Sequence, residues 1–130
     1  MAELGFECKL NLPYEQVLEK VTDALKVEGF GVLTSIDVKD TMKKKLDVDF
    51  RKYSILGACN PPLAHKSLSA RPDVGLLLPC NVIVYEEGDG TMINIIDPLS
   101  MGQLIQDPML DEVAEQARQR LQRVAEALRK

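Results

Sequence analysis

The sequence predicts an α+β fold, a two-layer structure in which helices cover one face of an antiparallel sheet of about five strands. Two observations lead to this prediction. Strand-like apolar segments are joined by turn signals, which favour antiparallel pairing, while two longer segments repeat apolar residues at helical spacing. The chain has 130 residues, 45% hydrophobic and 28% charged, which suits one compact domain over residues 1–130.

The first predicted strand covers residues 4–10, where apolar and polar side chains alternate and Cys8 takes a core position. A helix with an apolar stripe begins at Pro13, whose missing N–H costs nothing in a first turn. It ends before Gly29, because glycine suits the left-handed conformation that follows a helix. A second strand is predicted over residues 30–36, which are mostly apolar or β-branched.

The middle of the chain predicts two short helices around a third strand. Asp37 can cap the first helix, over residues 37–46, and the strand covers residues 53–58. Asn60 can cap the second helix, which opens with two prolines and is broken by Arg71-Pro72-Asp73.

The last third predicts a hairpin and a long helix. Pro79 cannot donate to a central ladder, so strand pairing is expected either to begin or to bulge near Cys80. The turn signal at residues 87–90 joins strands 82–86 and 91–96, and a loop over residues 99–106 is expected to follow Asp97-Pro98. The final helix begins with Asp107 and Pro108 and carries an unbroken apolar stripe: Leu110, Val113, Ala114, Ala117, Leu121, Val124, Ala125 and Leu128.

Both faces of the strand at 82–86 are apolar. Val82 and Val84 share one face, and Ile83 and Tyr85 share the other. A two-layer monomer would leave one of these faces in water, so we expect a homodimer formed through that face. A ligand pocket on the same face is the alternative.

The three cysteines indicate the compartment. Their odd number, without a recognisable secretory signal, favours a cytoplasmic protein with reduced thiols over a disulfide framework. No apolar run reaches the ~20 residues that a membrane span needs, so no membrane association is expected. The net charge of −4, the low aromatic content and the absence of tryptophan disfavour nucleic-acid binding.

Two Cys-Asn pairs are the candidate site, Cys59-Asn60 and Cys80-Asn81. Cys59 lies between a predicted strand and a predicted helix start, where free amides and the helix dipole can lower a thiol pKa. Such a thiol can act as a nucleophile, a redox sensor or a soft-metal ligand, and Cys80 can supply a second ligand. The alternative is that both cysteines only pack in tight corners.

His65 is the only histidine, so any imidazole chemistry would have to use it. We include it among the candidate ligand-binding residues, although its helical position favours the surface.

Three blocks of the sequence resemble the domain of unknown function 302 family: GFGVLT at 29–34, followed by Ile36-Asp37, then ILGACNPPLA at 55–64 and GLLLPCNV at 75–82. The resemblance implies a two-layer fold similar to the TATA-binding-protein class, in the order β-α-β(4)-α. It also implies a homodimer, and it implies no established reaction.

The first functional hypothesis is a small homodimeric protein that binds a small ligand or a soft metal ion near Cys59 and Cys80, with Asn60 and Asn81 as polar supports. The second is an interaction module whose cysteines only pack. A thiol-dependent enzyme or redox sensor is a third, and no residue is assigned as catalytic because no nucleophile–base spacing indicates a reaction. No cofactor is predicted.

Overall fold

Five strands and five α-helices make up the part of the chain that the computed structural model describes, residues 4–102 and 107–130. The strands are β1 (Gly5–Leu10), β2 (Gly31–Asp37), β3 (Tyr53–Cys59), β4 (Cys80–Glu87) and β5 (Gly90–Ile96). The helices are α1 (Tyr14–Val27), α2 (Val38–Leu46), α3 (Pro61–Ala70), α4 (Pro98–Gly102) and α5 (Pro108–Arg129), and a 3-10 helix covers Pro72–Leu77.

The strands form one antiparallel sheet in the order β1-β5-β4-β3-β2. The chain builds β2 to β5 in sequence order, and β1 then pairs with β5 at the far edge. The hairpin between β4 and β5 closes at Glu87 and Gly90 through a two-residue turn in which Gly88 has φ +59°. The predicted five-stranded α+β fold and its hairpin are therefore confirmed.

The helices α1 and α5 pack on the same face of the sheet. Val17, Val21 and Leu25 of α1 are buried, as are all but one residue of the predicted α5 stripe. Only Ala114 of that stripe is half-buried. The strands complete this core with alternate side chains: Cys8, Leu56, Ala58, Val82, Val84, Ile93 and Ile95. Alternation therefore orients β1, β3, β4 and β5 on this core, with Cys8 of β1 in its predicted core position.

The opposite face of the sheet is apolar but only partly buried. Ile36, Ile55 and Ile83 form one row across three strands, because they are direct partners in the β2–β3 and β3–β4 pairs. Tyr53 and Tyr85 form the next row, with their rings stacked 5.1 Å apart. Ile36 is 48% exposed. We call these five residues the open face.

Gly29 takes the predicted left-handed conformation after α1. Its φ is +83°, and its N–H donates to the Lys26 carbonyl. Pro13 differs slightly from the prediction, since it is the residue before α1 and not part of its first turn. Its carbonyl still accepts the first helical hydrogen bond, from the Val17 N–H.

The loop predicted over residues 99–106 is wrong in its first half, where α4 forms. Asp97 explains the difference, because its Oδ1 accepts the Leu99 N–H at 3.0 Å and its carbonyl accepts the Ser100 N–H at 2.9 Å. Pro98 then occupies the first helical position, where proline is favoured. The second half of the predicted loop, residues 103–106, lies outside the described residues. The 3-10 helix after Arg71 was not predicted.

Candidate functional site

A cavity of about 360 Å³ lies where β2, β3 and β4 meet α3 and α5. Its walls are mainly aliphatic, with a few uncharged polar side chains among them. The lining residues are Phe30, Leu33, Thr34, Ala58, Cys59, Asn60, Leu63, Ala64, Ser67, Leu68, Val74, Leu77, Leu78, Pro79, Cys80, Pro98, Leu110, Val113, Ala114 and Ala117.

The chain builds one wall of this cavity by a detour between two paired strands. It leaves the sheet at the end of β3, runs through α3 and the 3-10 helix, and returns at the start of β4, where Cys80 pairs with Ala58. Gly57 allows Pro79 to lie close to β3, because a Cβ at Gly57 would come within 2.7 Å of the Pro79 ring and would also contact Thr34. The detour is thus held against the sheet end.

The opposite wall comes from α5 and from the edge strand β2. Ala114 and Ala117 present small side chains where larger ones would fill the space. In β2 the pairing register shifts between Val32 and Thr34, so Leu33 is an extra, bulged residue. Bulges re-aim side chains, and Leu33 lines the cavity while remaining 68% exposed. Leu33 therefore lies at the cavity mouth.

The structure brings Cys59 and Cys80 together in the wall of this cavity. Cys59 follows Ala58, the direct partner of Cys80, and both cysteines are lining residues. Both thiols are free. Cys59 is half-buried, whereas Cys80 is 8% exposed, and burial, reinforced by the neighbouring Cys59, raises the pKa of Cys80 to about 11. Cys80 is therefore an uncharged thiol near neutral pH.

Asn60 and Asn81, predicted as equivalent supports, lie in different places. Asn60 is buried in the cavity wall, and its Oδ1 accepts the Leu63 N–H at 3.2 Å, which caps α3 as predicted. Asn81 is exposed and pairs with Gly57 in the sheet, and it is not among the cavity-lining residues. The repeated Cys-Asn pair therefore does not correspond to a repeated structural role.

The expected free amides beside Cys59 are not available, so this part of the prediction is wrong. Pro61 and Pro62 have no N–H, and the Leu63 N–H is bound to the Asn60 side chain. The Ala64 N–H donates to the Asn60 carbonyl at 2.9 Å. The first four residues of α3 thus leave no N–H group to stabilise a thiolate.

His65 does not join the two cysteines. It is exposed on α3 and lines a second concavity of about 480 Å³ between α3 and α5, together with Lys66, Met109 and Glu112. The surface position favoured by its helical spacing is observed. Any site that includes Cys59 and Cys80 is therefore built without an imidazole from the described residues.

Among residues 4–102 and 107–130, no three His, Cys, Asp or Glu side chains come together as a group that could hold a metal ion. Within the same ranges, no helix combines the length and the apolar character needed to cross a bilayer.

The apolar stripe of α5 lies mostly in the core, but four of its residues also face the cavity, a contribution not predicted above: Leu110, Val113, Ala114 and Ala117. The available signal was the pair of alanines at helical spacing within a stripe of larger residues. The bulge at Leu33 had no sequence signal, because it depends on pairing with β3.

The fold and the cavity define a small α+β protein with a preformed, largely apolar site at one end of its sheet. Residues 6–128 match the family described as "Domain of unknown function DUF302", and the chain belongs to that family. It is similar to a solved structure described as an uncharacterized conserved protein, DUF302, from Bacillus stearothermophilus. The two share 31% sequence identity with a TM-score of 0.87, over 96% of this chain and 98% of the other. A comparison with curated proteins finds no match.

Proposed function

We propose that this protein binds a small organic molecule in the cavity that Cys59 and Cys80 line. The cavity itself is the supporting observation. Its volume of about 360 Å³ lies within the usual range for ligand pockets, and its mainly apolar wall with a few polar groups is typical of them. The cavity opens to solvent beside Leu33, so a small molecule can enter it.

A soft metal ion is the alternative ligand, and the same two thiols would bind it. Metal ions bind the thiolate, whereas burial raises the pKa of Cys80 to about 11 and so favours the neutral thiol. The uncharged aliphatic wall also supplies no further ligand of the kind that soft metals prefer. These features support an organic molecule more strongly than a metal ion.

The test fills the cavity from α5. Ala114 is half-buried in the wall, so Ala114→Phe places a ring in the space that a ligand would occupy. The matched control is Ala127→Phe, on the exposed side of the same helix. Binding is measured by titration with N-phenylnaphthylamine, an uncharged dye that fluoresces in apolar sites.

We expect the wild type and Ala127→Phe to bind the dye, and Ala114→Phe to bind it at least about tenfold more weakly. Circular dichroism confirms that both variants remain folded. Equal binding by the three proteins, or no binding by the wild type, would contradict a site in this cavity.

We also propose that the protein forms a homodimer through the open face. The three isoleucines and two stacked tyrosines supply an apolar surface on the face that the buried stripes of α1 and α5 do not cover, and Ile36 is 48% exposed there. Covering such a surface with a second copy removes it from water, and two-fold dimers are the commonest assemblies. This interface lies on the face opposite the α1–α5 core.

Light scattering tests the dimer. The variant Ile83→Lys places a charge at the centre of the open face, and Gln16→Lys makes the same charge change on the exposed side of α1. We expect a dimer for the wild type and for Gln16→Lys, and a monomer for Ile83→Lys. A monomeric wild type at micromolar concentration would refute the proposal.

The proposed compartment is the cytoplasm. All three cysteines carry free thiols, which supports a reducing environment. The presence of Cys59 in the cavity wall also makes the proposed ligand site sensitive to thiol-reactive compounds.

A further inference from the structure

We infer that the cavity selects an uncharged, predominantly apolar ligand and excludes ions of either sign. This inference rests on the ligand-binding function proposed above and adds the chemical class of the ligand. It follows from the electrostatic character of the wall.

None of the described lining residues carries a charged side chain. A buried ion is stable only when it is paired or well hydrogen-bonded, so a charged group on the ligand would lose its hydration without gaining a counter-charge. Such a ligand would bind weakly.

Two polar groups of the wall already make hydrogen bonds within α3. Asn60 Oδ1 accepts the Leu63 N–H, and the Ser67 hydroxyl donates to the Leu63 carbonyl at 3.1 Å. Cys80 is a neutral thiol near neutral pH because it is buried. The other polar groups of the described lining are uncharged too, so none supplies the counter-charge that a buried ion needs.

The mouth has the same character as the interior. Leu33 is exposed at the mouth, and Leu68, on the opposite wall, is 41% exposed. Charged residues that would attract an ionic ligand at short range are not among the lining side chains. Entry therefore favours the same class of molecule as the interior.

The test uses three dyes with the same aromatic body. N-phenylnaphthylamine is uncharged, anilinonaphthalene sulfonate adds a sulfonate to it, and the third dye carries a trimethylammonium group instead. Binding in the cavity is defined as the fluorescence lost in Ala114→Phe, which separates it from dye on the open face. We expect both charged dyes to bind in the cavity at least about tenfold more weakly than the neutral dye.

A charge introduced at the wall should change this selectivity. Ala114→Lys supplies an ammonium group on a flexible stem, and Ala114→Gln provides a polar control of similar length without charge. We expect Ala114→Lys to bind the sulfonate dye at least about fivefold more tightly than Ala114→Gln does, with no such gain for the trimethylammonium dye.

The outcomes separate the two proposals. Equal cavity binding of the neutral and charged dyes by the wild type would overturn the inference and leave the ligand site intact. Absence of cavity binding for all three dyes would overturn the proposed function, and the inference with it. Weak binding of both charged dyes, with the sulfonate dye recovered by Ala114→Lys, would support the inference.

Discussion

At the scale of single residues, burial gives the two thiols of the cavity wall different exposure to solvent. Cys80 is buried, whereas Cys59 is half-buried. Burial disfavours the thiolate because a charge in an apolar surrounding loses its hydration. We therefore expect reagents to reach Cys59 first and Cys80 only when the fold opens.

The raised pKa of Cys80 predicts a loss of stability at alkaline pH. A thiol whose pKa is about 11 when folded and near 9.0 when unfolded stabilises the fold fully below pH 9.0, and this contribution disappears as the pH rises through about 11. Between about pH 8 and about pH 10.5, the wild type should lose about 2 kcal/mol more unfolding free energy than Cys80→Ala.

Urea unfolding under reducing conditions, at several pH values, measures this difference. Lysines and tyrosines titrate in both proteins, so the difference between the two pH profiles of unfolding free energy reports the ionisation of the Cys80 thiol. Parallel pH profiles for the wild type and Cys80→Ala would contradict the prediction.

At the scale of the elements, three helices begin with the same device, a short polar residue followed by proline. Asn60-Pro61 starts α3, Asp97-Pro98 starts α4 and Asp107-Pro108 starts α5, and each first side chain accepts a backbone N–H. The first and third are predicted as helix starts, whereas Asp97-Pro98 is predicted to precede a loop, because the apolar stripe that normally accompanies a helix is missing from so short an element.

The capping of α3 predicts different effects for the two asparagines. Asn60→Ala removes the acceptor of the Leu63 N–H and should reduce the free energy of unfolding by about 1 kcal/mol. Asn81 follows the other cysteine, but it lies at an exposed strand position. We therefore expect Asn81→Ala to change the free energy of unfolding by less than about 0.5 kcal/mol.

Thermal and urea unfolding compare the two variants. A similar loss for both would mean that the shared Cys-Asn sequence, and not the cap, determines the effect. A loss confined to Asn81→Ala would refute the capping role of Asn60.

At the scale of the whole molecule, α5 links most of the core. Its 22 residues rise about 33 Å at 1.5 Å per residue, enough to cross the sheet. One stretch of its stripe packs with α1 and the strands, and another lines the cavity. Stability and the proposed site therefore depend on the same helix.

This arrangement predicts a large effect for Leu121, which has no exposed surface. Leu121→Ala should destabilise the fold by about 2–5 kcal/mol, through lost burial and the cavity left behind. The control is Leu46→Ala at the end of α2, where the side chain is 66% exposed and a loss below about 1 kcal/mol is expected.

Urea unfolding monitored by circular dichroism and by tyrosine fluorescence measures both variants. One shared transition is expected from both signals, because α5 and the strands contribute to the same core. Comparable losses for the two leucines would contradict this account.

The sequence by itself determined the local structure of this protein: five strands, the main helices, the alternation that places Val82 and Val84 on one face, and the asparagine that caps α3. These features depend on neighbours within a few residues, and their periodicity and capping can therefore be recognised along the chain. Only the tertiary structure decided that Cys59 and Cys80 line one cavity, that Asn81 and His65 lie outside it, and that Ala114 and Ala117 form its far wall. Those placements depend on strand register, on the bulge at Leu33 and on packing between elements far apart in sequence.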